Sequence, residues 1–536
     1  MHQHPILASS PRARPLLWWP LLLLLLTGLS SCAARDHRLA DEEGARIGAE
    51  KLAEVDRFRS EHLLDPEDID ASPSPGEAPI ELPEVLDLDT ALVIATDLNR
   101  SYKAQRESLF LNALDLGLTR RDFLRPVFSG RASFSASDGS DQDYQEVAGL
   151  SLGGSQVLFS GGRISVDAST SLLHTVDRSL PSQSTDGSIS VSVTQPLIRG
   201  AGPQLAFESL TQAERNLLYR ARDFELFRQN FFIGIIDKYY GLISQQKQLA
   251  NTRENIAGQR FAWEQAKALF RLGRGSSLDV FRAEQALLEA QNSALNSEQA
   301  FQLALDNFKI DLGLPIDVEF SLQDEFPEVT PFQMELESAL AAALNNRLDL
   351  LTTRDRLEDA ERRLAVAENS LLPSLDLSLN YSSDADSKVG FNELAIDDSS
   401  DYAVGLVMEI PFDRKSQRNG FRAAEIALEQ AKRDLENRKD VIILEVRDSL
   451  RTLEQRRMQI ELGIKKIQSV SFTVEKSEIE QLRGTGTNRD VVEAKNSLTD
   501  AKNDQLDRIV AHETQLLRLQ NQIGMLFVTE EGTVKE

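Results

Sequence analysis

The sequence predicts a mainly α fold, built twice over, whose smaller β part completes a membrane β-barrel between copies of the chain. Three observations predict it. A seven-residue apolar repeat is sustained over Pro203–Leu272, other stretches alternate strictly between apolar and polar residues, and an internal duplication carries both features.

The long repeat comes first. Leu210, Leu217, Phe224 and Phe231 recur every seven positions; the seam then steps by four and resumes as Ile235, Leu242, Leu249, Ile256, Trp263 and Phe270. Such a repeat marks a long helix in coiled-coil-like packing, and the four-residue step is a stutter that locally unwinds the supercoil. At 1.5 Å per residue the rod is about 105 Å long. Pro203 suits the first turn, where its missing N–H costs nothing. The rod ends at Leu272-Gly-Arg-Gly-Ser-Ser-Leu-Asp279, where glycines suit a left-handed cap and Ser276 or Ser277 the next N-cap. A returning helix over 277–312 ends at Gly313 and Pro315.

Upstream, a helix over 88–124 ends at Pro126, and the period changes to two. Phe128, Gly130, Ala132, Phe134 and Ala136 alternate with Ser129, Arg131, Ser133, Ser135 and Ser137, and Ile189, Val191 and Val193 alternate with serines and Thr194. These are strands with one apolar face, within 127–197. Between them Ile164, Val166 and Ala168 alternate with Ser165, Asp167 and Ser169 behind a tight turn at Phe159–Gly162, giving an additional hairpin over about 147–174. Its inner turn is short, and the flanking segments 138–146 and 175–186 read as longer outer loops. Because the second repeat lacks it, the expectation leans towards a hairpin folded out of the wall.

The order then repeats: a helix from 335 to Pro373, strands within 374–410, a long helix over 415–482, a tip at Arg483-Gly-Thr-Gly-Thr-Asn-Arg-Asp490, and a helix over 487–526. A shift of 211 residues carries Leu217 onto Leu428, Ile235 onto Val446 and Leu249 onto Ile460, stutter included. Gly273, Gly275, Asp279, Val280, Ala283, Leu287 and Ala290 fall on residues of identical type at Gly484, Gly486, Asp490, Val491, Ala494, Leu498 and Ala501. Upstream the shift is 247, taking Asn99 to Asn346 and Pro126 to Pro373. The difference matches the additional hairpin in size. The shorter helices, end to end, match one long helix in length, so each repeat makes a continuous helix beside a split one. The units are 88–315 and 335–526, joined by a linker over 316–334.

The ends carry other signals. Residues 1–31 combine Arg12 and Arg14 with an apolar core over Leu16–Leu26, as a secretory signal does. Leu29-Ser-Ser-Cys32 resembles a bacterial lipobox, which implies cleavage before Cys32 and a lipid on its sulfur; the alternative is a plain signal peptide with an incidental cysteine. The tail over 32–87 is acidic and Pro-rich and reads as extended; a second tail covers 527–536. After Cys32 no apolar run reaches the roughly 18 residues of a membrane helix, so any crossing is made by strands.

A net charge of −25 argues against nucleic acid as a partner. The six histidines are scattered, and no metal-ligand spacing, nucleophile elbow or phosphate loop stands out. No enzyme, metal or cofactor is expected. Four or six strands cannot close a barrel, and an open edge cannot sit in lipid. Three copies with four strands each give twelve, or eighteen if the additional hairpin joins the wall.

The chain resembles the TolC-type outer-membrane efflux and secretion channel family, in its lipoprotein branch. The resemblance covers nearly all of 88–526. It rests on the duplicated order of elements, on Gln195-Pro-Leu-Ile-Arg-Gly200 and Ile410-Pro-Phe-Asp-Arg414, and on Gly273-x-Gly-Ser-Ser-x-Asp-Val280 with its partner Gly484-x-Gly-Thr-x-x-Asp-Val491. It implies a homotrimer with a barrel in outer-membrane lipid and a long helical tunnel through the periplasm. That tunnel docks a periplasmic adaptor protein and an inner-membrane transporter. It further implies adaptor contacts at the tips, Gly273, Arg274, Gly275 and Ser276 with Gly484, Thr485, Gly486 and Thr487. Asp490 and Glu493, three apart on one helix face, would ring the periplasmic aperture and favour cations; the alternative for Asp490 is a capping role. Where the best-known member has a tip arginine this chain has Gly486, with Arg483 and Arg489 nearby. The competing reading is a periplasmic coiled-coil scaffold or adaptor without a pore.

Overall fold

The computed structural model describes residues 39–55, 83–139, 142–176, 182–323, 326, 329, 332, 334–387, 400–528 and 534–535. The signal segment, Cys32, the Pro-rich run Asp70–Pro79 and most of the C-terminal tail lie outside them.

A first helix, α1, spans residues 39–55. Then come β1 (Val85–Leu86), α2 (Leu88–Leu98), α3 (Arg100–Leu124), β2 (Val127–Gly139), β3 (Gln142–Val157), β4 (Arg163–Val176) and β5 (Ser182–Pro196). The short α4 (Pro203–Ala206) leads into α5 (Glu208–Arg271) and α6 (Ser277–Leu312), with β6 (Ser321–Leu322) closing the first half. The second half has α7 (Leu336–Asn346), α8 (Leu348–Asn369), β7 (Ser374–Ser387), β8 (Ser400–Glu409), α9 (Lys415–Arg483) and α10 (Asn488–Gln522), followed by β9 (Phe527–Val528) and β10 (Val534–Lys535).

The 64 residues of α5 make a rod of about 96 Å. Within one chain its seam is buried at Leu210, Leu217, Phe224, Ile235, Leu242 and Leu249. Lower down the pattern changes. Gln259, Ala262 and Ala266 take the buried positions, Trp263 is half-buried and Phe270 is exposed. In α9, Ile442, Val446, Leu453 and Ile460 are buried, the counterparts of the upper seam and its stutter.

Beside α5 lie α3 above and α6 below. The expected single helix over 88–124 is broken at Asn99, and the break has a cause. Asn99 accepts from the Tyr102 amide at 2.9 Å, capping α3, and donates to the Asp311 carbonyl of α6 at 2.5 Å. Gly313, left-handed at φ 83°, ends α6 so close that a Cβ there would meet the Leu98 carbonyl at 2.3 Å. So α6 butts against the α2–α3 joint. The second repeat does the same: α7 and α8 part at Arg347, and a Cβ on Gly524 (φ 72°) would lie 2.9 Å from Asn346.

Two further expectations are corrected. Residues 39–55 are not extended. Ile47 and Val55 are buried with Leu109, Ala113, Leu116 and Leu217. Gly44 allows the approach, since a Cβ there would fall 2.7 Å from the Phe110 ring. The composition favours an extended tail, and docking overrides it. The linker is also tied down, because β6 pairs in parallel with β1, Val85 opposite Ser321 and Leu86 opposite Leu322.

The remaining correction concerns the additional hairpin. β2, β3, β4, β5, β7 and β8 form one antiparallel six-stranded sheet in that order. The hairpin is β3–β4, and it sits inside the sheet between β2 and β5 instead of folding out. The flanking segments read as outer loops are mostly strand, since β2 runs to Gly139 and β3 begins at Gln142.

Candidate functional site

The sheet is two-faced across its whole width. In the ladders, Phe128 lies opposite Gly154, then Val166, Val191, Tyr381 and Tyr402, one residue from each strand. The next row runs Gly130, Leu152, Ala168 and Ile189. Directly opposed residues share a face, so one face carries an apolar band, which in the second row gives way to Ser383 and Ser400 on β7 and β8. Phe128, Phe134, Leu152, Val404 and Leu406 are exposed on it in one chain. The other face carries the row Ser129, Gly153, Asp167, Ser190, Ser382, Asp401. Serines pair across it, Ser165 with Ser192 at 2.6 Å and Ser169 with Ser188 at 2.7 Å. Apolar-out and polar-in is the pattern of a membrane barrel wall. Aromatic pairs edge the apolar band: Tyr381 on Tyr402 at 5.0 Å, and Phe159 on Phe207 at 4.9 Å at the helical side. Strands β2 and β8 stand at the edges of the sheet, and among the described residues their outer edges have no partner strand. Among the described residues no helix is long and apolar enough to cross a membrane.

At the far end of the rods the two tips have one geometry. Gly273 (φ 69°) and Gly484 (φ 79°) take the left-handed cap. Arg274 then donates its amide to the Leu269 carbonyl at 2.9 Å, and Thr485 its amide to the Glu480 carbonyl at 3.0 Å. The second glycine of each tip is needed for space. A Cβ on Gly275 would lie 3.1 Å from the Phe270 amide nitrogen, and one on Gly486 3.0 Å from the Glu480 Cβ. Ser276 and Thr487 begin the returning helices with capping boxes that use Asp279 and Asp490.

Asp490 therefore has a defined structural partner. The Thr487 hydroxyl and amide donate to its carboxylate at 2.7 and 2.9 Å, and these bonds, with Arg489 nearby, hold its pKa below the ordinary carboxylate range. Asp490 and Glu493 are both exposed on α10, and Glu493 pairs with Arg489 at 3.8 Å. Gly486 is filled by its turn.

Side-chain networks that sequence reading missed pin the split helices to the rods. Arg347 reaches Asp349 at 2.8 Å and Glu445 of α9 at 2.5 Å, while Arg438 of α9 contacts the same Asp349. Burial opposes the charge on Asp349, and hydrogen bonds from Arg347 and Arg438 outweigh it, so its pKa lies low. The Asp349-x₈₈-Arg438 separation leaves no local trace; only the duplicated helix pairing could have suggested it.

Two rods, a split rod beside each, and one shared sheet with a lipid-type face define the fold of an outer-membrane channel. The family model of outer membrane efflux proteins matches residues 339–525, the second half of the duplication, and the chain resembles that family. The CmeC outer membrane channel of Campylobacter jejuni superposes with a TM-score of 0.62, covering 86% of this chain and 94% of that one at 14% identity. VceC of Vibrio cholerae gives 0.61 over 82% of this chain and 96% of its own, again at 14% identity. The Nodulation protein T of Rhizobium leguminosarum bv. trifolii is 28% identical over 153 residues, 28% of this chain and 32% of that relative. The chain thus matches about a third of that relative's length.

Proposed function

We infer that three copies of this chain form an export channel, the outer-membrane part of a tripartite efflux pump or a type I secretion system, passing solutes or proteins from the periplasm to the exterior. The observation that carries it is the six-stranded sheet: apolar on one face, polar on the other and unpaired at both edges. Such a sheet is stable in lipid only when other copies complete the ring. A scaffold or adaptor without a pore has no use for that face. The split and continuous helices of the copies line the tunnel. The tips at Gly273–Ser276 and Gly484–Thr487 meet the periplasmic adaptor, which couples the tunnel to an inner-membrane transporter. Asp490 and Glu493 from three chains ring the aperture, with the capping role of Asp490 coexisting. Cys32 carries the lipid that anchors the tail.

The test is extraction from membranes. The protein is expected to require detergent, to migrate as a heat-sensitive trimer, and to conduct in planar bilayers. A monomer released without detergent overturns the reading. Labelling with a fatty-acid analogue, lost in Cys32→Ser, checks the anchor.

A further inference from the structure

We propose that β3–β4 is a pore-widening element: with it each chain supplies six wall strands, and the trimer closes an eighteen-stranded barrel that admits bulkier solutes than two strands per repeat would allow. This rests on the trimeric channel reading above.

Three independent features put the hairpin in the wall. First, β3 and β4 pair continuously from Tyr144 opposite Val176 to Val157 opposite Arg163, and each also pairs with its outer neighbour over a dozen or so positions. Inserting them adds an even number of strands. The edges β2 and β8 therefore still run in opposite directions and can close antiparallel on the next copy. Secondly, the hairpin continues the apolar band in register. Leu150, Leu152 and Val166 lie in the rows of Ala132, Gly130 and Phe128 and are exposed in one chain. A hairpin lying over the sheet would hide these side chains, and one projecting into water would have no reason to match the band. Thirdly, its inner turn is fastened to the strand–helix junction. Gly202 donates its amide to the Ser160 carbonyl at 3.0 Å, and Gln195 Nε2 donates to the same carbonyl at 3.0 Å. Gly161 (φ 89°) is packed so closely that a Cβ would meet the Gly200 carbonyl at 2.5 Å.

The geometry sets the effect. At a strand spacing of about 4.8 Å and a tilt of about 40°, twelve strands make a barrel about 24 Å across and eighteen one about 36 Å across. Over the middle of the hairpin the polar face is small-sided, with Ser151, Gly153, Ser155, Ser165, Asp167 and Ser169, while Val147 and Leu173 stand towards its outer end and Val157 and Arg163 at its inner end. No bulky side chain at the middle level refills the added width, and strand counts near eighteen leave an aqueous channel.

The experiment uses the full-length protein reconstituted in vesicles whose lipids carry brominated acyl chains. Leu152→Trp and Val166→Trp report on the hairpin, Leu406→Trp on β8, and Ser169→Trp on the polar face, all with the native Trp18, Trp19 and Trp263 replaced by Phe. Strong quenching by brominated lipid is expected at 152, 166 and 406, and quenching by aqueous iodide at 169. Quenching by lipid at 406 but not at 152 or 166 overturns this inference while leaving the channel intact. No lipid quenching at any of the three overturns the channel reading itself. Width is then read by adding polyethylene glycols of graded size on the barrel side of a planar bilayer. Deletion of residues 142–176 joins β2 to β5 with their faces matched, and the largest polymer admitted is expected to shrink in radius by at least about a third. An unchanged cut-off overturns the proposal. Where the deletion variant fails to assemble, the quenching pattern decides.

Discussion

Tyr219 of α5 donates its hydroxyl hydrogen to Asp359 of α8 at 2.8 Å, at a buried point where the first rod meets the second repeat. Arg362 and Arg215 hold the other carboxylate oxygen, at 2.8 and 3.2 Å. Burial, followed by the bond to Asp359, pushes the tyrosine up to about 12. Burial works against ionisation of Asp359, but bonds from Tyr219, Gln212 and Arg362 prevail and its pKa lies below the ordinary range.

This pair sets a pH dependence. A depressed carboxylate stabilises the fold above its unfolded pKa of about 3.9, and the contribution is lost as pH falls through the lower folded value. In thermal melts between pH 5 and pH 2, the wild type should lose more stability than Asp359→Asn. Tyr219→Phe should cost about 1.5 kcal/mol at neutral pH, the worth of a hydrogen bond to a charged group. Equal acid sensitivity in both proteins would speak against this role for Asp359.

At the tips, Gly275→Ala and Gly486→Ala should distort the turn, because the new methyl meets backbone of the preceding helix in the first case and the Glu480 side chain in the second. Each should cost about 1–3 kcal/mol. The expected sign is faster amide exchange confined to the tip and its capping box, with the barrel end unaffected.

If Asp490 and Glu493 ring the aperture as proposed, Asp490→Ala with Glu493→Ala should lower cation preference in planar-bilayer recordings. A reversal potential identical to that of the wild type removes the ring. Asp490→Asn separates the roles, since it keeps an acceptor for the Thr487 amide and removes the charge.

The docked α1 offers a different check. Gly44→Leu should push the helix off Phe110, and Ile47→Ala should cost about 2–4 kcal/mol of docking. Limited proteolysis should then cut within 39–55 while leaving the rods intact.

The long rods, the tips, the alternating strands and the duplication could be read from the chain because each is a local periodicity repeated at a fixed shift. What escaped the reading depends on contacts distant in sequence. Asn99 looks like any helical polar residue until the end of α6 arrives beside it. The α1 segment is acidic and glycine-containing, and it is ordered by the face made of Leu109, Ala113 and Leu116. The hairpin β3–β4 has clear strand alternation, but its place in the wall depends on which strands accept it. At the second tip the sequence supplies the carboxylates of Asp490 and Glu493, whereas the Thr487 clasp on the first of them is a matter of cap geometry.

The bare edges of β2 and β8 also have a genetic consequence. On the proposed trimer, a chain able to pair through only one edge joins a ring and leaves it open. If such a variant is made in equal amount with the wild type, only about one ring in eight is free of it. Lesions in these two strands should therefore behave as dominant alleles, whereas lesions that unfold a rod before assembly should be recessive.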